Sequence, residues 1–250
     1  MSAPPGRDLE LRSARGERMA GVLHEPEGKA RGLVLLSPCF TCAKEIAPVR
    51  NLARDLAEAG FAALRFDPAG NGKSEGRFED MTVARHVEDL VAIASQVETR
   101  PLCLVGHSLG GAVSILAARA LKPERVVTLA TNARRDSLRR LLGDEVFARA
   151  RRGESVTFDS GDGVERPLSR AFVEDLERQD VLGAAASLGC PLLVVHGDAD
   201  SLVPIDAGRE LARVARADFV DIPGGEHLLA RRQDREAVRT AVLAFLEKQV

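Results

Sequence analysis

Short apolar runs alternate with amphipathic segments along most of this chain of 250 residues. The run Leu33-Val-Leu-Leu36 has no polar member, as expected of a strand whose two faces are both covered. Further strands are predicted over residues 61–66, 101–105, 125–130, 191–196 and 218–222, and helices over residues 44–59, 81–97, 112–121, 205–214 and 234–248. This rhythm predicts an α/β fold with a mostly parallel sheet between two layers of helices.

Two stretches depart from this rhythm. Residues 9–12 and 17–24 flank a turn at Gly16 and predict an N-terminal antiparallel hairpin. Residues 131–189 predict an Arg-rich helix over 134–152, a hairpin at 155–168 and a helix over 169–179. We therefore expect a core of residues 1–130 and 190–250, with residues 131–189 inserted as a small cap or lid.

Charge and composition exclude several classes of partner. The 35 Lys and Arg residues nearly balance the 37 Asp and Glu residues, and Trp and Tyr are absent, so neither a basic surface nor a stacking platform for nucleic acid is expected. The sequence lacks a run of about 18 apolar residues, so no membrane span is predicted. We expect a cytoplasmic protein in which the four cysteines are mostly thiols.

A serine lies in the strongest motif of the chain. Residues 106–111 (GHSLGG) fit G-x-S-x-G, the nucleophile elbow, in which glycines surround a serine of strained backbone conformation. The predicted strand 101–105 precedes the motif and the predicted helix 112–121 follows it, which is the context that the motif requires. Ser108 is therefore the candidate nucleophile, and it needs a base and an acid to become reactive.

The elbow resembles that of the α/β-hydrolase superfamily, which shares it broadly. Together with the elbow, residues 39–45 (CFTCAKE), 64–76 (LRFDPAGNGKSEG) and 227–229 (HLL) are more narrowly similar to hydrolase domains that are fused to an OsmC-like, organic hydroperoxide resistance domain, and the pattern of residues 39–45 is the most specific of these. Relatives with the OsmC-like domain usually have His at the position of Pro38, and we expect no OsmC-like domain after Val250. The resemblance implies an α/β-hydrolase fold and suggests a functional link to an OsmC-like protein.

The resemblance also implies the acid and the base. Superfamily members carry the triad in the order Ser, acid, His. Residues 196–204 match the superfamily pattern H-G-x-x-D-x-x-V-P with Asp200 as the acid, whereas the competing Asp198 is better suited to the turn. His227 follows the last predicted strand, where the base of this superfamily lies.

The superfamily also binds the developing oxyanion with two backbone amides. One comes from the residue after the nucleophile, here Leu109, and the other from the loop after the third strand. Superfamily members often carry His-Gly-x in that loop, and residues 38–40 are the counterpart by position, so the resemblance implies Phe40 as the second donor; Pro38 has no N–H.

Together these residues predict a carboxylesterase-like serine hydrolase that cleaves a small ester or thioester through an acyl-enzyme, without a cofactor or metal. One alternative is a redox-responsive or partner protein that uses Cys39 and Cys42, a pair that loop packing would also explain. Another is a lyase or peroxidase that uses the same triad. The arginines of residues 134–152 either attract an anionic acid group or form a solvated helix face.

Overall fold

A computed structural model describes residues 6–97, 101–134, 137–160 and 162–248, and these residues form one eight-stranded sheet and a separate hairpin. The strands of the sheet are β1 (Arg7–Arg12), β2 (Arg18–His24), β3 (Leu33–Ser37), β4 (Ala62–Phe66), β5 (Leu102–His107), β6 (Arg125–Leu129), β9 (Leu192–Gly197) and β10 (Asp218–Ile222). They pair in the order β1-β2-β4-β3-β5-β6-β9-β10. The pairs β1–β2 and β2–β4 are antiparallel and the other pairs parallel, which confirms the predicted sheet and N-terminal hairpin.

Helices cover both faces of the sheet. They are α1 (Ala47–Glu58), α2 (Val83–Ser95), α3 (Leu109–Leu121), α8 (Ile205–Ala215) and α9 (Arg232–Glu247). Alternate side chains of β3 enter different cores: Leu33 and Leu35 pack with α2 and α3, whereas Val34 and Leu36 pack with α1 and α9. Burial on both faces explains why this strand has no polar position before Ser37.

The inserted segment forms its own small elements. They are α4 (Ser137–Leu142), α5 (Asp144–Arg151), the hairpin strands β7 (Thr157–Asp159) and β8 (Glu165–Pro167), α6 (Arg170–Arg178) and α7 (Val181–Ala186). The prediction of one helix over 134–152 is wrong, because Gly143 has a φ of 88° and breaks the segment into α4 and α5. Residues 135 and 136 of that prediction lie outside the described part. A lid function for residues 131–189 stays a prediction.

Several arginines of the insertion lie beside carboxylates. Arg149 and Arg152 both pair with Glu154, and Arg151 lies 3.4 Å from Glu177. The side chains of these three arginines are largely exposed, so each pair contributes little to stability. For these residues the pairing favours a solvated surface over an anion-binding one.

The parallel strands bring their carboxyl ends to one edge of the sheet. The loops after β3, β5, β6, β9 and β10 meet there, as they do at the ligand sites of open α/β sheets. Ser108, Asp200 and His227 lie in three of these loops. Within the described ranges, no helix is long and apolar enough to cross a membrane.

Candidate active site

Ser108 occupies a strained turn between β5 and α3. Its φ of 54° and ψ of −119° are rare for a residue with a side chain and cost on the order of 1–3 kcal/mol. The turn is anchored to β6, since the Ser108 N–H donates to the Leu129 carbonyl at 2.8 Å. The Thr131 hydroxyl donates to the Ser108 carbonyl at 3.0 Å. The half-buried serine side chain is thereby presented by a backbone that is fixed on both sides.

The glycines of the elbow are required by close approaches of neighbouring atoms. A Cβ atom at Gly106 would lie 2.1 Å from the Gly110 carbonyl oxygen, and one at Gly111 would lie 2.0 Å from the Thr131 hydroxyl. A Cβ at Gly110 would lie 2.2 Å from the carbonyl oxygen of Ser37 at the end of β3. The last contact brings the loop after β3 against the first turn of α3.

Asp200 and His227 form a hydrogen-bonded pair. His227 Nδ1 lies 2.8 Å from Asp200 Oδ2, while Oδ1 accepts from the backbone N–H groups of Leu202 and Val203 at 2.9 and 2.8 Å. A carboxylate only accepts, so Nδ1 of His227 carries a proton, and in the neutral ring Nε2 keeps its lone pair. Among the described residues, no hydrogen bond joins either side chain to Ser108.

The electrostatic environment keeps Asp200 ionised. Burial alone would raise its pKa, but His196 and His227 beside the carboxylate more than offset burial and hold the pKa of Asp200 below its usual range. Asp198, the competing acid, is exposed and accepts a hydrogen bond from the Gly224 N–H in a turn. The acid in contact with His227 is therefore Asp200.

Two buried histidines, for which the sequence predicted no role of their own, hold the loops of this pair. His107 Nε2 lies 2.9 Å from the His227 carbonyl oxygen, and His196 Nε2 lies 2.9 Å from the Val203 carbonyl oxygen. Both rings are fully buried. Each histidine ends or nearly ends a strand at the site edge, and this position is the signal that sequence reasoning missed.

Two backbone amides in the loops at this edge of the sheet are candidates for binding an anion. Leu109 is the first residue of α3, so its N–H has no acceptor within the helix. In the loop after β3, the Cys42 N–H donates to the Cys39 carbonyl at 3.2 Å. The Cys39 carbonyl and the Phe40 N–H belong to one trans peptide and point in opposite directions, so the Phe40 N–H points away from that turn. Neither amide has an acceptor in the described part of the chain.

The loop after β3 is held by contacts on two sides. The Lys44 ammonium and backbone N–H both lie 2.6 Å from the carboxylate of Asp67, and the Asn71 amide donates to the Phe40 carbonyl at 3.3 Å. These contacts join the two segments, 39–45 and 64–76, that the sequence singled out. On the other side the Phe40 ring packs against phenylalanines, with ring centroids 4.5–5.5 Å apart: Phe78, Phe158 and Phe172.

Cys39 and Cys42 form a disulfide across this loop. Their Cα atoms lie 5.1 Å apart, which is within the usual range for the bond. The expectation of mostly free thiols therefore needs correction, since it applies only to Cys103 and Cys190. The disulfide encloses Phe40 and Thr41, and so it lies at the second predicted amide donor.

Comparison with known proteins identifies the family. A sequence profile of the alpha/beta hydrolase family matches residues 32–241. The chain belongs to this family. The predicted α/β-hydrolase fold is confirmed, whereas no comparison supports the narrower resemblance to OsmC-associated hydrolases.

Curated relatives of the family include hydrolases of esters and thioesters. The human mitochondrial palmitoyl-protein thioesterase ABHD10 is 29% identical over 191 residues, which cover 73% of this chain but only 61% of the relative. A monoacylglycerol lipase of Mycolicibacterium smegmatis is 29% identical over 267 aligned positions, which cover 92% of this chain and 93% of the lipase. Among solved structures, Est1E of Butyrivibrio proteoclasticus with bound ferulic acid has a TM-score of 0.77 at 25% identity, covering 96% of this chain and all of Est1E.

Proposed function

We propose that this protein is a serine hydrolase that cleaves a carboxylic ester or thioester. Ser108 Oγ attacks the acyl carbon while His227 Nε2 takes its proton, and the His227 imidazolium then protonates the departing alcohol or thiol. Asp200 orients His227 and stabilises its positive charge. The observation that carries the proposal is the Asp200–His227 pair, at 2.8 Å, in loops at the sheet edge that also presents Ser108.

The amides of Leu109 and Phe40 are proposed to bind the oxyanion. Both N–H groups lack an acceptor in the described part of the chain, and that of Leu109 starts a helix whose dipole favours negative charge. The second half of the reaction reverses the roles: His227 takes a proton from water, the hydroxide attacks the acyl-enzyme, and Ser108 is released with its proton restored.

We propose that the substrate carries a small acyl group, because packed side chains lie beside both proposed oxyanion donors. The Phe40 ring and the three phenylalanines packed around it fill the space beside one proposed oxyanion donor. The cavity beside the other donor, lined by Leu109, Ala112 and Leu176, has a volume of about 10 Å³, which is room for one water molecule. The names of the relatives support esters and thioesters as substrates, and a functional link to an OsmC-like protein stays a prediction.

Chain length is the first test of this proposal. We expect p-nitrophenyl butyrate to be hydrolysed with a kcat/KM at least about tenfold above that of the palmitate ester, since a long chain must displace packed side chains. For butyryl and palmitoyl thioesters, kcat/KM is compared in the same way by measuring the thiol released. A preference for the palmitoyl substrates would overturn the assignment of a small acyl group.

The same three side chains also serve lyases and peroxidases of this fold, so fold alone does not separate the reactions. The ester assay separates them. Hydrolysis that depends on Ser108 supports a serine hydrolase. A protein that has this serine but hydrolyses no ester or thioester of the series would favour a lyase or a peroxidase.

The disulfide supports a second proposal, in which oxidation of Cys39 and Cys42 lowers the rate of hydrolysis. Bonding Cys39 to Cys42 restrains the turn that carries the Phe40 amide, so this donor follows the developing oxyanion less well. Because one oxyanion donor contributes about 10²–10³ in kcat, we expect the oxidised enzyme to be slower than the reduced enzyme by up to about 10². In the reaction with oxidised glutathione, two thiols of the protein become the disulfide and two molecules of reduced glutathione are released.

Activity is measured after equilibration with oxidised glutathione and again after dithiothreitol. The Cys42→Ser variant is the control, expected to be active and insensitive to either treatment. Equal kcat values for the disulfide-bonded and the reduced wild type, with the bond verified by mass, would reduce the pair to loop packing.

A further inference from the structure

His107 connects the nucleophile to the base. It is the last residue of β5 and is joined to Ser108 by a peptide bond, while its ring lies against the base loop. Its Nε2 is 2.9 Å from the carbonyl oxygen of His227, and the ring centroids of His107 and His227 are 5.0 Å apart. One short contact thus spans from the elbow to the backbone of the proposed base.

The chemistry of this contact fixes the state of His107. A carbonyl oxygen only accepts, so Nε2 of His107 carries the proton. Nδ1 is buried and has no partner among the described residues. Burial, followed by the neighbouring His227, lowers the pKa of His107 to about 3. His107 is therefore a neutral donor near neutral pH and does not compete with His227 for the proton of Ser108.

In the described part of the chain, no other hydrogen bond joins the elbow directly to the loop that carries His227. The Ser108 hydroxyl and the His227 ring are not hydrogen bonded to each other there. Both loops also carry strain, because Ser108 has a φ of 54° and Leu229, two residues after the base, has a φ of 46°. Strained backbone keeps its geometry only where surrounding contacts determine it, and the His107 bond is such a contact.

We propose that His107 is a positioning residue, which sets the separation of Ser108 and His227 by donating a hydrogen bond from Nε2 to the His227 carbonyl. This inference rests on the proposed function. It concerns a side chain that the G-x-S-x-G pattern leaves unspecified. His107 acts through His227 and touches neither substrate nor the reacting atoms.

The test compares two replacements of similar size that differ in the donor. His107→Leu removes the hydrogen bond, and His107→Gln supplies an amide N–H in its place. Because a misplacement of about 1 Å at a reacting pair costs about 10²-fold in rate, we expect Leu to lower kcat about 10- to 100-fold with KM changed less than threefold. Gln is expected to keep kcat within about threefold of wild type.

His24→Leu is the matched control. His24 is also buried and lacks a partner for Nδ1, but it lies on β2 and its Nε2 accepts from Arg65. We expect this variant to unfold at a lower temperature with kcat unchanged. Equal kcat values for the Leu and Gln variants at position 107 would overturn the proposal, as would a kcat loss that follows the unfolding temperature in all three variants.

A measurement on the wild type covers the case in which His107→Leu does not fold. Imidazole ¹⁵N spectra should show His107 as the neutral Nε2–H tautomer from pH 7 down to pH 5. A positively charged ring or an Nδ1–H tautomer in that range would overturn the proposal. Failure of the proposed function is recognised separately, because either the wild type would then hydrolyse no ester or the Ser108→Ala variant would still hydrolyse it.

Discussion

Replacing Ser108 with Ala, or His227 with Ala, is expected to lower kcat for ester hydrolysis about 10⁴- to 10⁶-fold with the fold intact. In the proposed mechanism the hydroxyl forms the acyl bond and the imidazole carries its proton, so neither works without the other and their losses do not add. The Ser108 side chain makes no hydrogen bond among the described residues, so its removal leaves no buried polar group unpaired. Thermal unfolding tests whether the fold is intact, and steady-state hydrolysis of p-nitrophenyl butyrate measures kcat.

Ser114 provides the matched control for the serine. It lies six positions further along, on α3, and its hydroxyl donates to the Gly110 carbonyl at 2.8 Å within the helix. Ser114→Ala should therefore keep kcat near the wild-type value. A Ser108→Ala or His227→Ala enzyme that keeps a tenth of the wild-type rate would show that the chemistry occurs elsewhere.

Asp200→Asn is expected to lower kcat about 10⁴-fold, the size of effect seen when the acid of a Ser-His-Asp triad becomes an amide. The wild-type carboxylate accepts from His227 Nδ1 at 2.8 Å and from two backbone N–H groups. An amide nitrogen facing His227 would instead donate to Nδ1, which moves the ring proton to Nε2 and removes the base. The pH-independent kcat on p-nitrophenyl butyrate measures the loss.

Asp198→Asn tests the register of the same loop. Asp198 is exposed, and its acceptor role toward the Gly224 N–H is one that an asparagine oxygen can also perform. We expect a change of less than about threefold in kcat. The reverse ranking of the two variants would mean that Asp198, and not Asp200, supplies the acid.

Features that depend on residues close in sequence were predictable. The unbroken apolar run at Leu33 requires a strand buried on both faces, and the glycines around Ser108 require a backbone that approaches its neighbours closely. The same local reasoning located the hairpin at Gly16. Chain order within the superfamily then pointed to Asp200 and His227 before their contact was known.

Features that depend on distant contacts were not predictable. Nothing near His107 in the sequence reveals that its partner is the carbonyl of His227, 120 positions later. The stacking of Phe40 on Phe158 and Phe172 likewise depends on how the insertion packs over the loop after β3. Gly143 lies inside the helix predicted over residues 134–152, but whether a glycine bends a helix or ends it depends on how the residues around it pack.

The central claim is that Ser108 is the nucleophile, and a covalent adduct tests it most directly. Wild-type protein, Ser108→Ala and Ser114→Ala are treated with a fluorophosphonate, digested, and the modified residue is located by mass spectrometry. The account predicts a single adduct on Ser108 in the wild type and in Ser114→Ala, loss of ester hydrolysis in proportion to labelling, and no adduct in Ser108→Ala. An adduct on another residue, or an enzyme that hydrolyses the ester while Ser108 stays unlabelled, would contradict it.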